Sequence, residues 1–129
     1  MIGYVTLGTN DFDRAAKFYD DLLAEIGAKR VMEAETFIAW GTSPAAPAVS
    51  IIKPFDGNQA TVGNGVMVAL AVDSPEKVQR LHAKALSLGG KDEGAPGPRG
   101  DGGFYAGYFR DVDGNKLNAF CMTSHAAGG

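Results

Sequence analysis

The sequence contains one cysteine, no run of basic residues and no long apolar segment. A single cysteine, Cys121, excludes a disulfide within the chain and any zinc cluster built from several cysteines. The formal net charge is −3, which argues against nucleic acid as a partner. No apolar stretch approaches the roughly 18 residues that span a bilayer, so we expect no membrane partner. The first residues lack the charged and apolar regions of a signal peptide, and we therefore expect a cytoplasmic protein.

The composition is that of an ordinary globular protein. The chain has 129 residues, of which 45% are hydrophobic and 21% are charged. A chain of this length buries roughly two-thirds of the surface that it exposes when unfolded, so it forms a core without disulfides or structural metals. The length predicts one domain.

A faint internal repeat divides the chain into two halves. Positions with the same local role recur about 63 residues apart, and the pairs are Tyr4 and Met67, Asp11 and Ser74, and Gly27 and Gly90. Each half reads as a strand, a helix and three shorter strands. We predict one module at about residues 1–56, a linker at about 57–64, a second module at about 65–123 and a tail at 124–129.

Each half contains one predicted amphipathic helix. Asn10 or Asp11 caps the first helix, and apolar residues recur at helical spacing from Phe12 to Ile26. Ser74 followed by Pro75 marks the start of the second helix. Glycines end both helices, as they commonly do.

The remaining apolar segments predict strands. They are Ile2–Leu7, Lys29–Glu33, Glu35–Trp40, Ala48–Lys53, Val66–Val72, Phe104–Arg110 and Lys116–Met122. Asp113–Gly114 is a hairpin signal between the last two of these segments. The stretch Gly94–Gly103, rich in glycine and proline, is interpreted either as a mobile flap or as a slack connection.

Six segments that follow one another along nearly the whole chain carry a family resemblance. They are Tyr4–Tyr19, Leu22–Leu23, Gly27, Pro54–Gly57, Gly63–Gly65 and Arg110–Asn115. They resemble the vicinal oxygen chelate superfamily, which includes glyoxalases, extradiol dioxygenases and bleomycin-resistance proteins. The resemblance implies an α+β fold in which two βαβββ modules form one curled mixed sheet around a cavity. It also implies a homodimer.

The same resemblance implies a divalent metal in the cavity, held by four ligands from the first and last strands of each module. The family has histidine, glutamate or glutamine at the positions that correspond here to Tyr4, Ser50, Met67 and Asn118. None of the four side chains supplies the carboxylate or imidazole that such a cation prefers. We therefore predict that no metal is bound at these positions and that the protein has no cofactor.

Other potential ligands have simpler interpretations. His82 lies near the edge of the apolar stripe of the second helix and is interpreted as a partly exposed helical residue. His125 lies in the predicted tail. Cys121 alternates with Leu117 and Ala119, which predicts a buried and inert thiol on the helix side of its strand.

Strand alternation predicts which side chains line the cavity. The predicted lining residues are Tyr4, Thr6, Trp40, Ser50, Met67, Ala69, Tyr105, Tyr108, Asn118 and Phe120. Only one residue of the pair Phe37 and Trp40 can point inward, and the same holds for Tyr105 and Tyr108, so these choices stay open. Such an apolar and aromatic lining suits an organic small molecule.

The sequence therefore favours a protein that binds a small, moderately hydrophobic organic ligand in a metal-free cavity. The alternative is a lyase, isomerase or dioxygenase-type enzyme of the same superfamily with a non-standard site. In that enzyme Tyr4 or Tyr105 would donate a proton and Arg99 would bind an anionic group of the substrate. A third hypothesis is a structural or regulatory protein whose interior is filled by side chains.

Overall fold

A computed structural model of the protein describes residues 1–123, so His125 lies outside the described residues. The chain divides into two compact units, residues 1–65 and 66–129. The first unit contains β1 (Tyr4–Gly8), α1 (Phe12–Ala24), β2 (Lys29–Glu33), β3 (Phe37–Gly41) and β4 (Ala48–Ile52). The second unit contains β5 (Val68–Ala71), α2 (Pro75–Ser87), β6 (Lys91–Pro98), β7 (Phe104–Arg110) and β8 (Lys116–Met122).

The first unit is a four-stranded mixed sheet with α1 on one face. Its strand order is β1-β4-β3-β2, in which β1 runs parallel to β4 and the other pairs are antiparallel. The Asp11 carboxylate accepts a hydrogen bond from the Arg14 amide and caps α1. The apolar stripe of α1 then buries the side chains Ala15, Ala16, Phe18, Tyr19, Leu22 and Leu23.

One carboxylate ties α1 to the sheet beneath it. Asp20 accepts hydrogen bonds from Nε and Nη2 of Arg30 on β2, at 2.9 and 2.7 Å, and from Nε1 of Trp40 on β3, at 2.8 Å. The Arg30 hydrogen bonds hold the pKa of the Asp20 carboxyl below its usual value, and the bond from Trp40 acts in the same direction. Trp40 is only 1% exposed, so its indole N–H depends on this partner.

The second unit repeats the arrangement. Its strand order is β5-β8-β7-β6, with β5 parallel to β8 and the other pairs antiparallel. The Ser74 hydroxyl accepts a hydrogen bond from the Lys77 amide and caps α2, and Pro75 is the first helical residue. The helix packs Val78, Leu81, His82 and Ala85 onto its sheet.

His82 is buried, so the expectation of a partly exposed residue is wrong. Its Nε2 lies 3.0 Å from the Asp92 carboxylate and 3.2 Å from the backbone oxygen of Tyr108. Its ring also packs edge-on against Phe109. The two polar contacts explain how a histidine is accommodated under a helix, because they satisfy the ring nitrogen that faces the sheet.

Three strands were expected after the second helix, but the first of them, β6, was not located from the sequence. Residues 94–98 of the stretch interpreted as a flap or slack connection belong to β6, which pairs with β7 through irregular register near Gly94 and Gly97. Bulges and glycines of this kind remove the period-two pattern by which a strand is recognised in sequence. The first strand of each unit is also shorter than predicted, since β1 begins at Tyr4 and β5 at Val68.

The α+β fold with two βαβββ modules is confirmed. The hydrogen-bonded strands form two four-stranded sheets, one in each unit. Within residues 1–123, neither helix has the length and apolar character needed to cross a membrane.

We predict that Asp20→Ala lowers the free energy of unfolding by about 2 kcal/mol, because it leaves the buried Trp40 N–H without an acceptor. Chemical denaturation followed by circular dichroism measures this loss. Asp21→Ala is the matched control. Asp21 pairs only with the exposed Lys17 of the same helix among the contacts that the structure shows, and such pairs contribute about 0.5 kcal/mol or less.

The stabilisation by Asp20 also depends on pH. Folding lowers the pKa of this carboxyl. Its contribution to stability is therefore complete at pH values above the ordinary aspartate pKa, and it is lost as the pH falls through the pKa of the folded state. The difference in stability between the native chain and Asp20→Ala should therefore narrow below about pH 4. A difference that stays constant down to pH 2 would contradict this assignment.

Candidate functional site

The face of the first sheet opposite α1 carries an apolar cavity. Alternation along β3 places Trp40 against α1 and Phe37 and Ala39 on the opposite face. The cavity on this helix-free face has a volume of about 430 Å³. Its lining residues are Gly3, Tyr4, Val31, Met32, Phe37, Ala39, Pro44, Ala46 and Ala48.

The cavity combines a floor of small residues with an aromatic wall. Ala39 and Ala48 lie on the neighbouring strands β3 and β4. The rings of Tyr4 and Phe37 pack edge to face, with centroids 6.3 Å apart and an interplanar angle of 72°. The lining includes no charged side chain. This combination favours a flat, uncharged organic molecule over an ion.

A pair of hydroxyls lies beside this cavity on the same face of the sheet. Thr6 on β1 is the register partner of Ser50 on β4, and Ser50 is in turn the partner of the cavity residue Ala39. The two hydroxyl oxygens are 3.1 Å apart, and Ser50 Oγ donates to the Val5 carbonyl at 2.7 Å. Ser50 is 0% exposed, whereas Thr6 is exposed.

Trp40 does not line the cavity, which corrects one of the predicted positions. Its ring lies on the α1 side, 5.5 Å from the ring of Tyr19, and its N–H is bonded to Asp20. The buried indole requires a hydrogen-bond acceptor, and α1 supplies one. The open choice between Phe37 and Trp40 is therefore decided in favour of Phe37.

In the second unit, Tyr105 is also on the helix side of its sheet. Its hydroxyl accepts a hydrogen bond from Gln79 on α2 at 2.8 Å. Tyr108 lies on the opposite face by alternation along β7, so the open choice between the two tyrosines is decided in favour of Tyr108, and Tyr105 does not lie on the helix-free face. The helix-free face of this sheet also carries Ala69 and Asn118, which are register partners, and Phe120, whose ring stacks on Phe104.

Asn118 is the most unusual polar residue of this second face. It is 1% exposed, and its Oδ1 has no hydrogen-bond partner within residues 1–123. Its neighbours across the sheet are Ala69 and Tyr108. Met67 precedes β5 and is 40% exposed.

Arg99 is bound to the backbone and not held out towards a substrate. Its Nη1 donates to the carbonyl of Gly97 at 2.9 Å, and its Nη2 donates to the carbonyl of Ala95 at 2.7 Å. The guanidinium also lies 5.4 Å from the ring centroid of Tyr108. The predicted role as an anion-binding residue is not supported, because these contacts fasten the irregular strand β6 onto β7.

The four positions at which the resemblance implies metal ligands do not fit a divalent cation. Tyr4 supplies a neutral phenol, Met67 a thioether and Asn118 an amide, and the hydroxyl of the buried Ser50 already donates to a backbone carbonyl. Such groups supply no negative charge to offset the dehydration of the ion. The described part of the chain, residues 1–123, has no cluster of three His, Cys, Asp or Glu side chains suited to a metal ion.

Cys121 is a free and buried thiol on the helix side, as predicted. It is the register partner of Tyr105, whose hydroxyl contacts α2. Burial raises the pKa of this thiol, and the charge of Asp73 acts in the same direction. The thiol is therefore a weak nucleophile.

Several cavity residues could not be found from the sequence. Val31 and Met32 reach the cavity because the register between β2 and β3 shifts between Arg30 and Met32. Pro44 and Ala46 belong to the loop between β3 and β4. Neither a bulge nor a loop position follows from alternation, although Gly41-Thr-Ser-Pro44 is a turn signal in the sequence.

Comparisons with known proteins agree with this fold. The model of the Glyoxalase/Bleomycin resistance protein/Dioxygenase superfamily matches residues 1–119. The chain belongs to this superfamily. A glyoxalase/bleomycin resistance protein from Albidiferax ferrireducens T118 has 35% sequence identity to this chain and a TM-score of 0.87, with 95% of this chain and 99% of that chain covered.

Two further solved structures in the superfamily's fold are more distant in sequence. Hypothetical protein SA1046 from S. aureus has 25% identity and a TM-score of 0.71, with 94% of this chain and 92% of that chain covered. The fosfomycin resistance protein FosX from Listeria monocytogenes has 18% identity and a TM-score of 0.71, with 98% and 96% covered. At 18% identity, the similarity to FosX concerns the fold alone. The comparison with curated sequences finds no match.

We predict that Arg99→Met increases hydrogen exchange of the β6 amides several-fold, because it removes the side-chain hydrogen bonds to three carbonyls of this strand. Hydrogen–deuterium exchange with mass spectrometry measures the effect. Lys116→Met is the matched control, since the Lys116 ammonium also lies near the Tyr108 ring, at 5.5 Å, but the structure shows no hydrogen bond from it to β6. Equal exchange of β6 in both variants would contradict the role given to Arg99.

Proposed function

We propose that the protein binds a small, uncharged and moderately hydrophobic organic ligand in the cavity on the helix-free face of the first sheet, without a metal. The observation that carries the proposal is the cavity itself. It has a volume of about 430 Å³ and is lined by apolar and aromatic side chains. Small-molecule sites in proteins have this size and this kind of lining.

The energetics of the cavity support binding through apolar contact. Each square ångström of apolar surface that a ligand removes from water contributes about 25 cal/mol. The edges and faces of Tyr4 and Phe37 add aromatic contacts, and Met32 adds a side chain that adjusts to ligands of different shape. A charged ligand would lose its hydration without gaining a partner from the lining.

The alternative, an enzyme of the same superfamily, depends on Tyr4 alone. Of the proposed catalytic groups, Tyr105 is bonded to Gln79 and Arg99 to backbone carbonyls. Tyr4 supplies a phenol that could donate a proton in the cavity. The lining supplies no carboxylate, imidazole or amine to act as a base, and we therefore favour binding over catalysis.

Filling the cavity should weaken binding without unfolding the protein. Ala48→Leu adds a bulky side chain to the cavity floor, and we predict that it weakens binding of a neutral aromatic ligand at least tenfold. The ligand is selected by thermal-shift screening of a library of neutral aromatic compounds, and its affinity is measured by isothermal titration calorimetry. Ala83→Leu makes the same chemical change on the exposed surface of α2 and should bind like the native protein.

A screen without any ligand would contradict the proposal. Equal binding by Ala48→Leu and the native chain would also contradict it, because the ligand would then lie elsewhere.

We predict that the purified protein retains far less than one equivalent of nickel, zinc, manganese or iron after equilibrium dialysis. The donor groups at Tyr4, Ser50, Met67 and Asn118 lack the charge that these cations require. Elemental analysis by mass spectrometry measures the metal content, with a buffer blank as the control. Stoichiometric retention that is lost in Tyr4→Phe would contradict a metal-free site.

Three expectations from the sequence remain predictions. They are the homodimer, the cytoplasmic location and the description of the whole chain as one domain.

A further inference from the structure

We infer that Thr6 determines the specificity of the cavity by accepting a hydrogen bond from the ligand. This inference rests on the proposed function, since it specifies the chemistry of the molecule that the cavity takes. The ligand class is an uncharged aromatic molecule with a hydrogen-bond donor, such as an N–H or O–H group, on its ring system. The hydroxyls of Thr6 and Ser50 lie on the same face of the sheet as the cavity, beside its apolar lining.

The direction of the hydrogen bonds between these hydroxyls is fixed. A backbone carbonyl only accepts, so the hydrogen bond of 2.7 Å between Ser50 and the Val5 carbonyl uses the proton of Ser50. A hydroxyl has one proton, and Ser50 therefore has none left for Thr6. The contact of 3.1 Å between the two hydroxyls must then be donated by Thr6 to Ser50.

Thr6 consequently offers only lone pairs to the surface of the sheet. Its proton is directed at Ser50, which is 0% exposed, while Thr6 itself is exposed. The chain of hydrogen bonds runs from Thr6 to Ser50 to the Val5 carbonyl, and it fixes the rotation of both hydroxyls. A free threonine side chain would serve either as a donor or as an acceptor.

The position of Thr6 relates this acceptor to the cavity. Thr6 follows Tyr4 by two residues on β1, so alternation places the two side chains on the same face. Its register partner Ser50 is also the partner of Ala39, which lines the cavity. In the proposed complex, a planar molecule on the alanine floor and against the rings of Tyr4 and Phe37 extends past the lining residues to Thr6, which borders the cavity on the same face.

The hydrogen-bond pattern selects between ligands of the same shape. An aromatic ligand with a donor at this edge loses a hydrogen bond to water when it binds, and it gains a hydrogen bond to the Thr6 oxygen in its place. A ligand that carries only an acceptor there meets the lone pairs of Thr6 and loses its hydrogen bond to water. The binding free energies of the two kinds of ligand differ by roughly one neutral hydrogen bond, which corresponds to about a fivefold ratio of their dissociation constants.

Indole and benzofuran test the inference because they have nearly the same shape and differ in a ring N–H against a ring oxygen. Dissociation constants of both are measured by NMR titration with the native chain. Three variants are added, Thr6→Val, Thr6→Ser and Ser50→Ala, each checked for folding by circular dichroism. We expect the native chain to bind indole about fivefold more tightly than benzofuran.

Each variant has a distinct expected result. Thr6→Val keeps the shape of the side chain and removes the acceptor, so the preference for indole should fall to about one. Thr6→Ser keeps the hydroxyl and should keep the preference. Ser50→Ala leaves the Thr6 hydroxyl in place but frees its proton, so Thr6 becomes able to donate and the preference should decrease. A purely steric role of Thr6 would not respond to Ser50→Ala.

The outcomes separate the two proposals. Binding of both probes with equal affinity, or a preference that survives in Thr6→Val, overturns the role of Thr6 and leaves the proposed cavity in place. A preference that survives in Thr6→Val but is lost in Tyr4→Phe assigns the recognition to Tyr4 and also overturns the inference. Failure of both probes to bind, together with a thermal-shift screen that finds no ligand, overturns the proposed function itself.

Discussion

Each sheet of this protein is covered by one helix on one face only, and the other properties of the molecule depend on this constraint. Side chains alternate across a strand, so the position of the helix decides which residues belong to the core and which remain available to a ligand. In the first unit the Asp20 carboxylate holds α1 over Arg30 and Trp40. The opposite face is then left to Tyr4 and Phe37.

The positions at which the resemblance implies metal ligands carry residues that do not suit a divalent cation. These residues are a phenol, a thioether, an amide and a hydroxyl, and the hydroxyl of Ser50 donates to a carbonyl of the sheet itself. Small residues such as Ala39 and Ala48 then leave space that apolar groups can fill. The proposed function assigns this space to contact with an organic ligand and not to ion coordination.

The sequence was sufficient for features that depend on local pattern. Both helices and the burial of Cys121 follow from periodicity, and the residue type of Ser74 marks it as a cap, whereas the sequence left the cap of α1 open between Asn10 and Asp11. Alternation also showed that Phe37 and Trp40 lie on opposite faces, but it could not decide which one contacts the helix, because that choice depends on a hydrogen bond to the distant Asp20. The strand β6 was not located from the sequence because its bulges and glycines erase the alternating pattern, and Arg99 adds side-chain hydrogen bonds to its carbonyls.

The buried indole has a practical consequence. Trp40 is the only tryptophan of the chain, and it lies in the first unit, under α1 and on the opposite side of the sheet from the cavity. Its fluorescence therefore reports the environment created by α1 and not direct contact with a bound molecule. A shift of the tryptophan emission during denaturation would record the separation of this helix from its sheet. The second unit contains no tryptophan and would not contribute to this signal.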